Sequence, residues 1–368
     1  MDYANQKDIQ TVKIDGLLTG GVFEGVGGLS AGASSRLLVD YPDKTRSEIL
    51  DLLFMPGFGA SLQHFKIEAG SDVNSTDGSE LMNIPAGYYK EILARGKRCY
   101  VGEDGVWQRN GRGTMLSAAW WASTVNRNYI DYGCTKTLIW PAISAFYDSL
   151  HISRGGLINA AQPWSGFYEV FPILWTTAHT TQFAKPGWVY IGGNGCGILD
   201  GGGSYVTLMD QDSGDYSIII ETYGAQEGQT FHFETTHLKN APVKIWMTYG
   251  EITGTWFVKH NDIYPINGNF TITVGKNSVV TVTTNDSLVK KGGYLVPERS
   301  PFPFPYTEDF EEYTENETPR YFSGQHGYFE VCQADDAPRG KKKALRQKLA
   351  VAHFSMAPPI SGILTMRA

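Results

Sequence analysis

Glu103 closes a short run, Lys97-Arg98-Cys99-Tyr100-Val101-Gly102-Glu103-Asp104, in which a basic pair leads into a β-like apolar stretch that stops at a carboxylate. Barrel enzymes present a nucleophile or a base in this way, at the C-terminal end of a strand. Displacement at an acetal carbon normally needs a second carboxyl to protonate the leaving oxygen. Glu68, Glu80 and Glu91 are the alternatives nearby in sequence, and Glu80 lies in the turn Asp77-Gly78-Ser79-Glu80. No cofactor or metal is expected. Cys99, Cys134, Cys196 and Cys332 are widely spaced without a CxxC pair, which argues against zinc and leaves disulfides and reduced thiols both open. His64 and His179 are isolated, and His179 reads as structural. Gly25-Val26-Gly27-Gly28 lacks the GxGxxG spacing and the acidic residue of a dinucleotide loop.

The elements that must carry Glu103 are legible as a βα alternation. Gln10 to Ile14 reads as a strand, and Val22 to Gly28 as another running into a Gly-rich turn. A helix is expected from Ser34 to Phe54, a strand from Leu62 to Glu68, and a helix from Tyr88 to Arg95. Cys99 to Val101 is a short strand, Met115 to Tyr132 a helix, and Thr137 to Trp140 a strand stopped by Pro141. This order favours a parallel α/β layer up to about residue 150. After about residue 185 the character changes to short strands separated by Gly and Asn. Ser204–Leu208, Tyr216–Glu221, Val243–Met247, Phe270–Val274 and Ser278–Thr284 are the signature of an antiparallel β-sandwich. The Pro-rich linker from Ser300 to Pro305 and the acidic stretch Glu308 to Glu312 follow. The last segment is too short to bury a core of its own. Its basic run, Lys341 to Lys343 with Arg346 and Lys348, reads as a solvated tail.

Bulk properties narrow the function. The net charge of −7 argues against a nucleic-acid partner. No apolar run approaches the ~20 residues of a transmembrane helix, and the N-terminal residues show no signal peptide. Four sequons, at Asn74, Asn269, Asn285 and Asn316, fit a secretory or lysosomal parent. Aromatic residues, at 13%, suit sugar-stacking platforms and β-rich cores alike, so they do not choose between them.

Longer stretches carry a resemblance. They are Phe23-Glu24-Gly25-Val26-Gly27-Gly28-Leu29-Ser30-Ala31-Gly32, Ser35 to Pro42, Phe58-Gly59-Ala60-Ser61-Leu62, Thr76-Asp77-Gly78, Gln162-Pro163-Trp164-Ser165-Gly166 and Ala178 to Trp188. Gly202 to Val206 and Ile218 to Thr222 extend it. Over roughly residues 10 to 330 the chain resembles glycoside hydrolase family 59. The resemblance implies a (β/α)8 TIM-type barrel, a β-sandwich and a lectin-like C-terminal domain. An early strand joins the sandwich before the barrel begins. The expected division is 1–17 for that leading strand, 18–184 for a partial barrel, 185–298 for the sandwich, and 299–368 for the linker and a truncated lectin-like segment. It further implies retaining hydrolysis of galactosylceramide to galactose and ceramide, in the lysosomal or secretory system. A saposin-like lipid-presenting partner assists. Glu103 matches the family nucleophile, and Thr76 and Trp140 match substrate contacts.

The chain also departs from the family. The Trp-Asn-Glu triplet that carries the general acid/base has no counterpart; the sole Asn-Glu pair is Asn316-Glu317, in the linker. Only 26 positions separate Asp77 from Glu103, where the family places several barrel strands and helices. A substrate-contacting Arg of the family sandwich has no match near Tyr223 to Gln229, and a family Tyr is replaced by Ile152. The expected architecture is therefore an incomplete barrel. The alternative to a hydrolase is a non-catalytic carbohydrate- or glycolipid-binding remnant or an inactive isoform.

Overall fold

The computed structural model describes residues 9–30, 37–67, 96, 99–105, 113–144, 156–285, 293–322, 327–337 and 340–350. Thr76, Glu68, Glu80, Glu91, Ile152 and the helix expected from Tyr88 to Arg95 lie outside them. The chain opens with β1 (Ile9–Asp15), β2 (Thr19–Val22) and β3 (Gly25–Ser30). The helix expected from Ser34 to Phe54 appears, within the described residues, as two: α1 (Leu37–Asp40) and α2 (Asp43–Phe54). Pro42 divides them, because it has no N–H for the helical ladder and disfavours helical backbone at Tyr41. There follow β4 (His64–Ile67), β5 (Tyr100–Asp104), α3 (Met115–Tyr132), β6 (Lys136–Ile139), β7 (Ile143–Ser144), β8 (Ile158–Gln162), β9 (Phe167–Val170) and α4 (Pro172–Thr181). Thr114 caps α3 by accepting from the Ser117 amide, and Gly133 ends it in the left-handed conformation, φ 65°.

β3, β4, β5 and β6 form one parallel sheet in the order β4-β3-β6-β5. The glycines of β3 make this sheet possible. A Cβ on Gly27 would sit 2.5 Å from the His64 carbonyl oxygen and 2.7 Å from Leu138 Cδ2. A Cβ on Gly28 would sit 2.6 Å from the Ala142 Cβ. Only glycine allows the neighbouring chains so close. One side of the sheet packs on α2, through Ile49, Leu52 and Leu53, and on α3, through Ala118, Trp121 and Ala122. A smaller sheet, β7-β8-β9, continues from β6 through the cis Trp140–Pro141 bond.

The second half is β-rich: β10 (Val189–Ile191), β11 (Cys196–Ile198), β12 (Ser204–Met209), β13 (Tyr216–Glu221), β14 (Gln229–Thr236), β15 (Lys244–Thr248), β16 (Val258–Lys259), β17 (Asn269–Val274) and β18 (Val279–Thr283). Seven strands run in the order β16-β15-β18-β13-β12-β10-β2, with β11 also on β12, giving eight. The opposing sheet is β1-β14-β17. β1 pairs with β14 in parallel: Val12 pairs with Phe233 and Ile14 with Thr235. The remaining pairs of the two sheets are antiparallel. Between them lies a core of Val12, Ile14, Ile218, Ile220, Phe231, Phe233, Ile272 and Val282. The far side of the larger sheet, with Val206, Leu208, Ile219 and Val279, packs on the helices. Covered on both faces, β13 is buried throughout, which is why its sequence reads as a continuous apolar run rather than an alternating one.

α4 joins the two halves. All ten of its residues are buried, as expected of a helix packed on every side. Beyond the sandwich, β19 (Gly327–Gln333) and β20 (Lys343–Ala350) form a hairpin. The basic run, at the end of the connection between the two strands and within β20, is docked rather than a free tail. Lys341 pairs with Asp309 at 2.6 Å, and the Glu311 carboxylate accepts from the Lys342 and Lys343 amides. The acidic stretch supplies the complementary charge. Among the described residues no helix is long and apolar enough to cross a membrane.

Candidate active site

Parallel pairing brings the C-terminal ends of β3, β4, β5 and β6 to one edge. Glu103 stands there, one residue before the end of β5, and is exposed. The register explains its presentation. Val101 pairs with Thr137 and Asp104 with Ile139, so three steps on β5 match two on β6. The extra residue is a bulge, a device that re-aims side chains next to active sites. It turns Asp104 towards α3, where the Asn128 amide donates to the carboxylate at 3.3 Å. Burial raises the Asp104 pKa, against the lowering effect of its bonds from Asn128 and the Gly105 amide.

Trp140 follows β6 directly and is half-buried. Its backbone amide donates to the Asp104 carbonyl oxygen at 2.6 Å. Glu103 and Trp140 thus flank one inter-strand bond. Thr76 is outside the described residues.

The opposite end of the sheet is tied by Glu24. Its carboxylate accepts from the Tyr100 hydroxyl at 2.8 Å and the Thr135 hydroxyl at 2.5 Å, and its carbonyl meets His64 Nε2. This carboxylate therefore links the starts of β3, β5 and β6. Sequence reasoning did not single out Lys66, whose ammonium lies 3.4 Å from the Gly102 carbonyl oxygen. The alternation of His64-Phe65-Lys66-Ile67 was the available signal, since it puts Lys66 on the His64 face and Phe65 against Phe54 of α2.

Two buried titratable groups hold the layer beneath the site to the sandwich. His179 of α4 lies between the Thr281 and Thr248 hydroxyls, 2.8 Å from each. Burial pushes its pKa down to about 3. Glu221, at the end of β13, is fully buried and accepts from the Ser204 hydroxyl at 2.5 Å and the Tyr223 amide at 2.7 Å. Burial pushes its pKa up to about 7, against the lowering effects of Ser204, Tyr223, Ser123 and Arg127. Neither group is placed to bind a metal, and no cluster of three or more His, Cys, Asp or Glu that could hold one occurs among the described residues.

The sequence profile of glycosyl hydrolase family 59 matches residues 23–87 and 85–182, the stretch that builds this sheet and its helices. Over that stretch the chain is similar to glycosyl hydrolase family 59. Among similar family members, galactocerebrosidase of Danio rerio is 29% identical, with 84% of this chain and 70% of that protein aligned. The Homo sapiens galactocerebrosidase is 26% identical, with 96% of this chain and 73% of that protein aligned. The human alignment extends over 509 positions, yet 96% of 368 residues is about 353, so about 156 positions face no residue here. Solved structures share the fold. The catalytic domain of GH30 xylanase C from Talaromyces cellulolyticus superposes with a TM-score of 0.52 at 10% identity, covering 74% of this chain and 99% of that one. SrfJ from Salmonella typhimurium gives a TM-score of 0.52 at 8% identity, covering 78% of this chain and 95% of that one. The chain therefore has the architecture of a barrel-type parallel layer joined to a β-sheet domain.

Proposed function

We propose that this chain is a retaining β-galactosidase of galactosylceramide type, with Glu103 as its nucleophile. The observation that carries this reading is the presentation of Glu103: exposed, behind a bulge, at the C-terminal end of a parallel strand whose last carbonyl is bonded to Trp140. In the first step the Glu103 carboxylate attacks the anomeric carbon, the bond to the leaving oxygen breaks, and a galactosyl ester forms. Water then attacks that ester and releases galactose. Trp140 and Thr76 bind the sugar. Galactosphingolipids are the substrate class, a saposin-like protein presents them, and the lysosomal or secretory system is the site of action.

The second carboxylate sets the limit of this activity. A ceramide alkoxide is a poor leaving group, and losing general-acid help costs ~10²–10⁴-fold. The Trp-Asn-Glu segment is missing from the sequence, and about 156 positions of the human relative face no residue of this chain. We infer that the barrel is incomplete, that the C-terminal hairpin belongs to a lectin-like segment, and that Glu103 acts most readily on substrates whose leaving group needs no proton. The same missing segment favours a second reading, a glycolipid-binding chain without turnover.

A fluorogenic β-galactoside with an acidic phenol leaving group separates the two. Turnover that disappears in Glu103→Gln supports the hydrolase. Saturable galactoside binding with no turnover would establish the second reading instead.

A further inference from the structure

Cys99 and Cys134 stand at the starts of neighbouring strands. Tyr100 opens β5 and pairs with Lys136, which opens β6. The ladder continues one step back, where the Thr135 amide donates to the Cys99 carbonyl oxygen at 3.4 Å. Cys134 precedes Thr135, so it is one residue out of step with Cys99. Parallel strands lie ~4.8 Å apart and rise ~3.3 Å per residue, which puts the two Cα atoms about 6 Å apart. That is the usual separation across a disulfide. Both side chains are buried, Cys99 at 7% and Cys134 at 3% exposure. Burial first, and then the charge and hydrogen bond of the Cys99 thiol, push the Cys134 pKa up to about 12. The other two thiols are engaged elsewhere: Cys196 donates to the Ile191 carbonyl oxygen at 3.4 Å and Cys332 to that of Ala344 at 3.6 Å. All four cysteines are free thiols in this structure.

We propose that Cys99 and Cys134 are a disulfide site, a covalent tie between the starts of β5 and β6. It stands independently of the reading of Glu103. The oxidant is a low-molecular-weight disulfide. The thiolate of one cysteine attacks a sulfur of that disulfide, the S–S bond breaks, and one small thiolate leaves. The second cysteine loses its proton, attacks the protein-bound sulfur, forms the Cys99–Cys134 bond and releases the second small thiolate. The released thiolates take up the two protons. The protein thus loses two electrons and two protons, and the small disulfide gains them. The step belongs to folding, because in the closed sheet both thiols are buried and Cys134 holds its proton. Once formed, the bond ties the same two strands that the Trp140 amide and the Asp104 carbonyl join at their other ends. The closed loop contains Glu103 and α3, and it limits the freedom of the unfolded chain.

The test refolds the full chain from urea with a mixture of oxidised and reduced glutathione, and in parallel with a non-thiol reductant. Free thiols are then alkylated in denaturant, and the digest is mapped by mass spectrometry. The expected result is a single cross-linked pair of peptides, carrying Cys99 and Cys134, with Cys196 and Cys332 alkylated. The oxidised chain has an unfolding equilibrium constant about 10²-fold below that of the reduced chain. Cys99→Ala and Cys134→Ala each remove that difference, and Cys196→Ala keeps it. Should a variant fail to fold, the wild-type peptide map and the two wild-type unfolding curves still decide. Alkylation of all four thiols in the oxidised chain, a cross-link to Cys196 or Cys332 instead, or a Cys99–Cys134 bond that leaves the unfolding constant unchanged overturns the proposal.

Discussion

The Trp140 amide donates to the carbonyl oxygen of Asp104 at 2.6 Å, joining the ends of β6 and β5 just where Glu103 is presented. The bond uses backbone atoms only. Removing the indole should therefore leave the strand ends joined and change recognition alone.

Trp140→Ala is expected to raise KM for an aryl β-galactoside about tenfold, roughly 1.4 kcal/mol, with little change in kcat. Steady-state kinetics against wild type, with circular dichroism to confirm the fold, checks this. A loss confined to kcat would mean that Trp140 does not contact bound sugar.

Gly27→Ala is expected to destabilise the chain by about 1–3 kcal/mol, because the added Cβ meets backbone of β4 as well as Leu138. Urea unfolding measures the loss. An unchanged midpoint would show that β3 and β4 separate without cost, and would remove the role given to the β3 glycines in bringing the neighbouring chains close.

Two buried groups give the stability a pH profile. Glu221 has a folded pKa near 7, above its ordinary 4.5, so the folded state holds the proton more tightly than the unfolded one. Its contribution is full below 4.5 and is lost as pH rises through 7. His179 has a folded pKa near 3, below its ordinary 6.5, so its contribution is present above 6.5 and is lost as pH falls towards 3. Between 4.5 and 6.5 the two slopes oppose each other, and wild-type stability should be nearly level. In Glu221→Gln only the histidine slope remains, and stability should rise by about 1.4 kcal/mol per pH unit over that window. Chemical denaturation at four pH values across it decides the matter. Parallel curves for the two proteins would mean that Glu221 ionises in the folded state at its ordinary pKa.

Much of the fold was readable because short-range rules governed it. The strand Tyr216–Glu221 and the helix Met115–Tyr132 were expected with the observed bounds. β14 was missed, although Phe231, Phe233 and Thr235 alternate inward along it. Its polar alternate positions and its parallel partner 220 or so residues earlier in the chain hide it from local reading: Ile14 pairs with Thr235. Pro42 was visible, but the helical periodicity on both sides outweighed it. At the site, Glu103 and Trp140 could be named from strand ends and resemblance. The bulge that presents Glu103 could not, because a register exists only between two strands. The Lys66 contact depends on the curl of the sheet, and the Glu221 and His179 bonds depend on the docking of two layers. Alternation along β4 gives the face of Lys66 but not its partner, and the bonds of Glu221 and His179 have no local sequence signal.

Leaving-group dependence should follow from the absent Trp-Asn-Glu segment. An aryl β-galactoside with an acidic phenol is expected to react at least 10²-fold faster than an alkyl β-galactoside, since the phenolate leaves without the proton that an alkoxide needs. Comparable kcat/KM values for the two would point to a proton donor reaching the leaving oxygen from elsewhere in the chain.

The most direct measurement is trapping of the covalent intermediate. The chain is incubated with a 2-deoxy-2-fluoro-β-galactoside bearing a dinitrophenyl leaving group, digested, and analysed by mass spectrometry. The account predicts one fluorogalactosyl ester, on the peptide containing Glu103, and none in Glu103→Gln. An ester on another residue, or an unlabelled chain that still turns the aryl galactoside over, would contradict it.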